Sequence, residues 1–253
     1  MTNLKGKVVV ITGASRGIGA ASAKLLAADK PKLILCAQTS DASYETKVAS
    51  EALGAKVETY GFDISDARAS KNFVDTVIQL HGRIDVLINN AGSGKMGSVA
   101  AMPPDVFQEV HKINVMGPYN MIHALLPSMI ESDCGTIINL TSARAFIPGR
   151  YYAAYCSSKA ALISMTQCLN IDLQGTKIKI YAFSPGFTDT DMVREMYSNK
   201  DFQASALTNT SGQSPERPAK VLSWLARNAP DDLVGQHVQI QFNDISLRAG
   251  LEN

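Results

Sequence analysis

Seven short apolar runs recur along the chain, at residues 7–12, 32–37, 56–60, 84–89, 136–140, 177–183 and 238–242. Most are dominated by Val, Ile and Leu, the pattern of strands buried on both faces of a parallel sheet. Only the last alternates apolar and polar strictly. Between them lie stretches with helical spacing, at residues 20–28, 43–53, 67–80, 105–130, 152–173 and 218–226. Gly54 closes the second, and Asp66 stands at the N-cap position of the third. Strands that alternate with helices in this way predict an α/β fold: a doubly wound parallel seven-stranded sheet with helices on both faces.

Two places break the rhythm. Asn114 sits inside the stretch 105–130, followed by Gly117 and Pro118. Asn is a poor mid-helix residue and Pro disturbs a helix interior, so a local break beside a functional site is expected there. Residues 187–214 are polar and carry no periodicity, which reads as a long irregular loop acting as a substrate lid. No repeat or linker divides the chain, so residues 1–253 are expected to form one domain.

Composition narrows the function classes. Hydrophobic residues make up 45% and charged residues 19%, as in a globular protein. Lys plus Arg is 24 against 23 Asp plus Glu, which argues against a nucleic-acid tail or a basic membrane patch. No apolar run reaches the roughly 18 residues of a membrane span. The start of the chain has no apolar signal region. Cys36, Cys134, Cys156 and Cys168 form no C-x-x-C pair, so free thiols in the cytoplasm are expected. The four His residues lack ligand spacing, and no metal site is expected. Asn139 and Asn209 head glycosylation triplets, read as chance matches. Helix 152–173 is apolar on more than one side, at Leu162, Ile163, Met165, Leu169 and Ile171 among others, which points to a homo-oligomer.

The candidate chemistry lies at the strand ends. After the first strand come Gly13, Ser15, Arg16, Gly17, Ile18 and Gly19, opening directly into a helix. A glycine turn between strand and helix is the dinucleotide cradle of a Rossmann fold: the turn is tight, the backbone can approach a pyrophosphate, and the helix N-terminus attracts it. At the end of the second strand an acid would select NAD by its ribose hydroxyl. Here Ala37, Gln38, Thr39 and Ser40 come first and Asp41 only afterwards. With Arg16 available for a 2′-phosphate, NADP(H) is favoured and NAD(H) is the alternative. Asp63 ends the third strand, where it could accept from an adenine amino group. Asn89, Asn90, Ala91 and Gly92 end the fourth, where an open sheet forms its crevice.

Tyr155 and Lys159 are four residues apart on one helix face. A Lys cation beside a phenol favours the phenolate, which is expected to lower the tyrosine pKa and fit it for proton exchange with a substrate oxygen. Ser142 follows the fifth strand and could hold the same oxygen. Arg144, Arg150, Tyr151, Tyr152, Phe187 and Met192 are expected near the pocket.

Taken together, Thr12 to Gly19, Asp63, Asn89 to Gly92, Asn114, Ser142, Tyr155 to Lys159 and Pro185-Gly186 resemble the short-chain dehydrogenase/reductase family, in the right order along most of the chain. The resemblance implies hydride transfer between NADP(H) or NAD(H) and a small-molecule carbonyl or alcohol, in a cytoplasmic homodimer or homotetramer. It implies a catalytic set of Asn114, Ser142, Tyr155 and Lys159. Tyr155 would exchange the proton, Ser142 would hold the carbonyl oxygen, and Lys159 would bind the nicotinamide ribose. Asn114 would hold a relay water. Cofactor contacts are implied for the glycine turn, for Asp63 and Ile64, for Asn90, Ala91 and Gly92, and for Pro185, Gly186, Thr188 and Thr190. Two departures stand out. Gln38 occupies a position where many NADP members carry Arg, and the C-terminus lacks the usual Asp-Gly-Gly. The rival readings are a cofactor-binding regulator without turnover, against which the intact Ser, Tyr, Lys and Asn set argues, and an isomerase or dehydratase, which would need further acids or bases.

Overall fold

The computed structural model describes residues 3–198 and 212–251. Its centre is one seven-stranded parallel sheet in the order β3-β2-β1-β4-β5-β6-β7. The strands are β1 (Val8–Thr12), β2 (Lys32–Ala37), β3 (Lys56–Gly61), β4 (Val86–Asn89), β5 (Gly135–Leu140), β6 (Ile178–Ser184) and β7 (His237–Gln239). The helices are α1 (Gly17–Ala27), α2 (Tyr44–Ala52), α3 (Ala67–His81), α4 (Pro104–His111), α5 (Gly117–Glu131), α6 (Ala153–Asp172), α7 (Asp191–Ser198), α8 (Glu216–Asn228) and α9 (Asn243–Arg248).

Strand alternation divides the core into two layers. Val9, Ile11, Leu33, Leu35, Ile88 and Phe183 face one side, against Leu26 of α1 and Leu222 and Leu225 of α8. Val8, Val10, Ile34, Leu87, Ile137 and Ile180 face the other, against Phe73 and Val77 of α3 and Met121 and Leu125 of α5. Both faces being covered explains why these strands read as continuous apolar runs. The strand order reverses direction between β1 and β4, so their carboxyl ends part and open a crevice.

The break expected at Asn114 is present. Residues Lys112–Met116 form a π-helical turn between α4 and α5, a common distortion at functional sites. Pro118 has no N–H to continue the helical ladder across it. The expected cap also forms, with the Asp66 carboxylate accepting from the N–H groups of Arg68 and Ala69 at 2.8 and 3.0 Å.

Two expectations need correction. The stretch 187–214 is not wholly irregular, because α7 occupies Asp191–Ser198. Asp191 stands in its first turn, favoured by the helix dipole. Residues 199–211, with Asn209, lie outside the described residues. The last strand is shorter than 238–242. Beyond Gln239 the chain turns, the Phe242 N–H bonding the Gln239 carbonyl, and continues as α9. The alternation at 238–242 reports burial of Val238 and Ile240, but the ladder ends at Gln239, beyond which only the Ile240 N–H still bonds β6. Asn139, read as a chance match to the glycosylation triplet, is indeed no surface acceptor. It is fully buried, its amide donating to Thr166 Oγ1 and its oxygen accepting from Asn89. Among the described residues no helix is long and apolar enough to cross a membrane.

Replacing Asp66 with Ala removes both N-terminal bonds of α3. Urea denaturation is expected to show a loss of about 1 kcal/mol, with Asp66→Asn retaining most of it. Equal losses in the two variants would exclude capping as the source.

Candidate functional site

The crevice between β1 and β4 is built by two turns locked to each other. Thr12, at the end of β1, is buried, and its hydroxyl accepts from the N–H groups of Asn90 and Ala91, each at 3.1 Å. The Asn90 amide returns two bonds, to the carbonyls of Thr12 and Gly13, each at 2.9 Å. Gly13 has φ +64°, and a Cβ there would stand 2.8 Å from Ala91 Cα. At Gly19 a Cβ would lie 2.4 Å from the Gly13 carbonyl oxygen. Neither position can take a side chain without moving backbone.

The resulting cleft encloses about 880 Å³. Gly13, Ser15, Arg16, Gly17 and Ile18 line one end, with Gln38 at the tip of β2 and Asp63 and Ile64 after β3. Asn90, Ala91, Gly92, Tyr155, Lys159, Pro185 and Thr190 line the remainder. Helix α1 has no side-chain cap and no acid in its first turn. Its uncapped N–H groups therefore meet the cleft and favour an anion there. That terminus, the glycine-rich turn and the cleft volume together fit a dinucleotide.

Not every expected contact residue faces the cleft. Gly19 serves packing against the first turn. Asn90 spends its amide on the glycine turn. Gly186 and Thr188 are absent from the cleft lining, Thr188 being buried against the Pro185 and Gly186 carbonyls. Asp63 lines the cleft while accepting from the Ser65 N–H at 2.8 Å.

At the other end, α6 carries Tyr155 and Lys159 on one face. The Lys159 ammonium is buried and donates to the Leu140 carbonyl at 2.8 Å, and it lies 5.8 Å from the centre of the Tyr155 ring. Ser142 caps a single 3₁₀ turn, Ala143–Ala145, accepting from the Arg144 N–H at 3.2 Å. Its hydroxyl is near enough to the Tyr155 phenol to pull that phenol's pKa down. Asn114 is fully buried in the π turn. Its oxygen accepts from the Ser93 N–H at 2.7 Å, and its amide donates to the Ser93 carbonyl and to Ser158 Oγ at 2.9 and 3.0 Å. A side chain at Gly92 would come within 3.2 Å of Asn114 Oδ1 and 3.7 Å of Lys159 Nζ, so turn, Asn and Lys share one wall.

The expected effect of Lys159 on Tyr155 is corrected. Burial, the largest cause, pushes the phenol above its ordinary 10, while Ser142 and the more distant Arg144 pull it down. Lys159 itself is brought down to about 8 by burial. Its ammonium points to a carbonyl, not to the phenolic oxygen, so desolvation governs both groups.

Sequence reading missed two contributions. Arg16 does not stand alone: its guanidinium lies 3.3 Å from Asp191 and 3.7 Å from Glu195, both on α7. The buried relay Asn89–Asn139–Thr166 joins β4 and β5 to α6, with both bonds at 2.9 Å. A buried Asn within an apolar strand was the available signal for the second; only long-range contact reveals the first.

Comparison with known proteins gives a consistent picture. Residues 7–201 match the family model described as short chain dehydrogenase. A 3-oxoacyl-[acyl-carrier-protein] reductase FabG of Thermotoga maritima is 31% identical, covering 94% of this chain and 97% of that protein. Dehydrogenase/reductase SDR family member 7B of Bos taurus is 30% identical, covering 90% of this chain and 73% of that protein. Among solved structures, an NAD+-bound xylitol dehydrogenase aligns with TM-score 0.85 at 26% identity, covering 94% of this chain and 98% of that one. A short-chain type dehydrogenase/reductase from Mycobacterium marinum aligns with TM-score 0.86 at 26% identity, over 94% of both chains.

The buried ammonium has a pH consequence. A base whose folded pKa is lowered leaves the unfolded chain the better proton binder between about 8 and 10.5. The burial penalty is therefore full below pH 8 and relieved as pH climbs to 10.5. Measured against Lys159→Met by urea denaturation, the parent is expected to gain stability across that window. A difference that stays constant with pH would show that Lys159 is not desolvated.

Proposed function

The chain belongs to the short-chain dehydrogenase/reductase family, oxidoreductases that act on CH–OH or C=O with NAD(P), and from that premise we propose that it is a carbonyl reductase using NADP(H). One observation carries this reading. A phenol held protonated by burial lines the same cleft as the glycine cradle, with a serine hydroxyl near enough to offset part of that burial. A protonated phenol is the acid that carbonyl reduction requires.

The cofactor, when bound, supplies the hydride or takes it back. The residues of this chain do the rest. The uncapped start of α1 and the turn from Gly13 to Gly19 hold the pyrophosphate. Ser142 donates to the substrate carbonyl oxygen, and Tyr155 passes its proton to that oxygen as the alcohol forms. Lys159 binds the nicotinamide ribose. Asn114 fixes the wall at the π turn and supports a relay water next to Lys159. Orientation by these fixed groups lowers the barrier.

Preference for NADP(H) rests on Arg16 and on the absence of a carboxylate from Ala37 to Ser40. The contrary reading, NAD(H), is favoured by one observation: Arg16 already has carboxylate partners on α7. The lid assigned to 187–214 is supported by α7, whose Met192 lines the cleft. A homodimer or homotetramer is supported by apolar side chains exposed on α5 and α6, among them Tyr119, Ile130 and Ile171.

Tyr155→Phe is expected to lower turnover of a ketone panel by roughly 100-fold or more, with NADPH still bound. Reduction at the parental rate would end the proton assignment. Arg16→Ala is expected to weaken NADPH binding more than NADH binding in fluorescence titrations. Equal losses would show that the guanidinium does not read the 2′-phosphate.

A further inference from the structure

Arg144 follows Ser142 by two positions and lies half-buried beside it, next to the cleft rather than in its lining. Its own N–H donates to the Ser142 hydroxyl, and its side chain folds over the Tyr152 ring with the guanidinium carbon 4.6 Å from the ring centre. Its closest hydrogen bond is a long one, 3.5 Å, to the Ile147 carbonyl. Among the described residues no carboxylate lies within ion-pair distance of it. This sets it apart from Arg16, Arg194, Arg227 and Arg248, which all pair with acids.

Room is made for it. A Cβ at Gly149 would meet Arg144 Nη1 at 3.1 Å and the Tyr152 ring at 2.9 Å. Its charge reaches Tyr155 and Cys156, lowering the pKa of both against the larger effect of burial. Beside it, the start of the 20-residue helix α6 has neither a side-chain cap nor an acid in its first turn, so its dipole adds to the positive field. Arg150 adds a second cation, set over the Tyr151 ring at 5.0 Å. Tyr151 has φ +70°, an unfavourable conformation for an aromatic residue and one found at sites where structure is held for use.

A partly desolvated guanidinium costs free energy unless an anion meets it, and its planar fork matches a carboxylate. We propose that Arg144 is the specificity-determining residue of this site and that it selects carbonyl substrates bearing a carboxylate: oxo acids in reduction, hydroxy acids in oxidation. This assignment rests on the reductase reading given above. Stacking on Tyr152 leaves one face of the guanidinium packed and its donors lacking an acid, as an anchor for the remote end of a substrate requires.

The test compares the parent, Arg144→Met and Arg144→Lys on aryl ketones that carry a carboxylate, each paired with its own carboxamide. The parent is expected to prefer the acid of each pair. Arg144→Met is expected to lower the acid-to-amide ratio of kcat/KM by roughly 10- to 100-fold, mainly through KM, with Arg144→Lys intermediate. An unchanged ratio overturns the proposal. Should none of the ketones be turned over, the reductase reading fails and calorimetric titration with benzoate against benzamide decides the anchor separately. Benzoate binding weakened in Arg144→Met sustains it. Benzoate binding equal in parent and variant, or absent from both, overturns it.

Discussion

The site depends on an amide that never meets solvent as a free group. Asn90 ties the end of β4 to the end of β1 by bonding two successive carbonyls, while Thr12 closes the loop from the other side. Hydrogen bonds of this kind gain strength in a low dielectric and cost most when broken singly. They hold the two carboxyl strand ends at fixed separation, which sets the width of the cleft. Gly13 and Gly19 are the steric counterpart, since any side chain there would enter the same few ångströms. From β4 the constraint passes through Asn89 and Asn139 to Thr166 on α6, the helix that carries Tyr155 and Lys159. The glycine turn and the face of α6 that carries Tyr155 and Lys159 are thus registered to one another through side-chain hydrogen bonds.

Burial also sets the charge state. Desolvation favours the neutral form of an acid and of a base alike, so it raises the phenol and lowers the ammonium. The two side chains approach neutrality from opposite sides. A simple picture in which cation and phenol tune each other through space does not describe this geometry. The ammonium is committed to the Leu140 carbonyl, and the Ser142 hydroxyl and the Arg144 guanidinium are the groups that offset burial at Tyr155.

Much of this was legible in the chain. The strand positions came from uninterrupted apolar runs, which only two-sided burial produces. Asn114 followed by Gly117 and Pro118 marked the π turn, because local propensity and a missing N–H both act over a few residues. The family resemblance brought Ser142, Tyr155 and Lys159 together before any distance was known. What stayed hidden has a common cause. The pairing of Arg16 with Asp191 spans 175 residues of the chain, and the direction of the Lys159 ammonium is settled by a carbonyl on another element. The helix at Asp191–Ser198 was hidden among polar residues, and the contact of Asp191 with Arg16 is long-range. At residues 238–242, period-two alternation truthfully reported which side chains were covered, but could not say where the neighbouring strand stops offering partners.

The bridge from Arg16 to α7 joins two exposed partners, and such contacts are each worth about 0–1 kcal/mol. Fastening of this strength yields to thermal agitation on its own. Raising the ionic strength shortens the reach of the charges and weakens it further. The tie between the glycine turn and α7 is therefore sensitive to ionic strength, while the sheet beneath rests on buried contacts that salt does not reach.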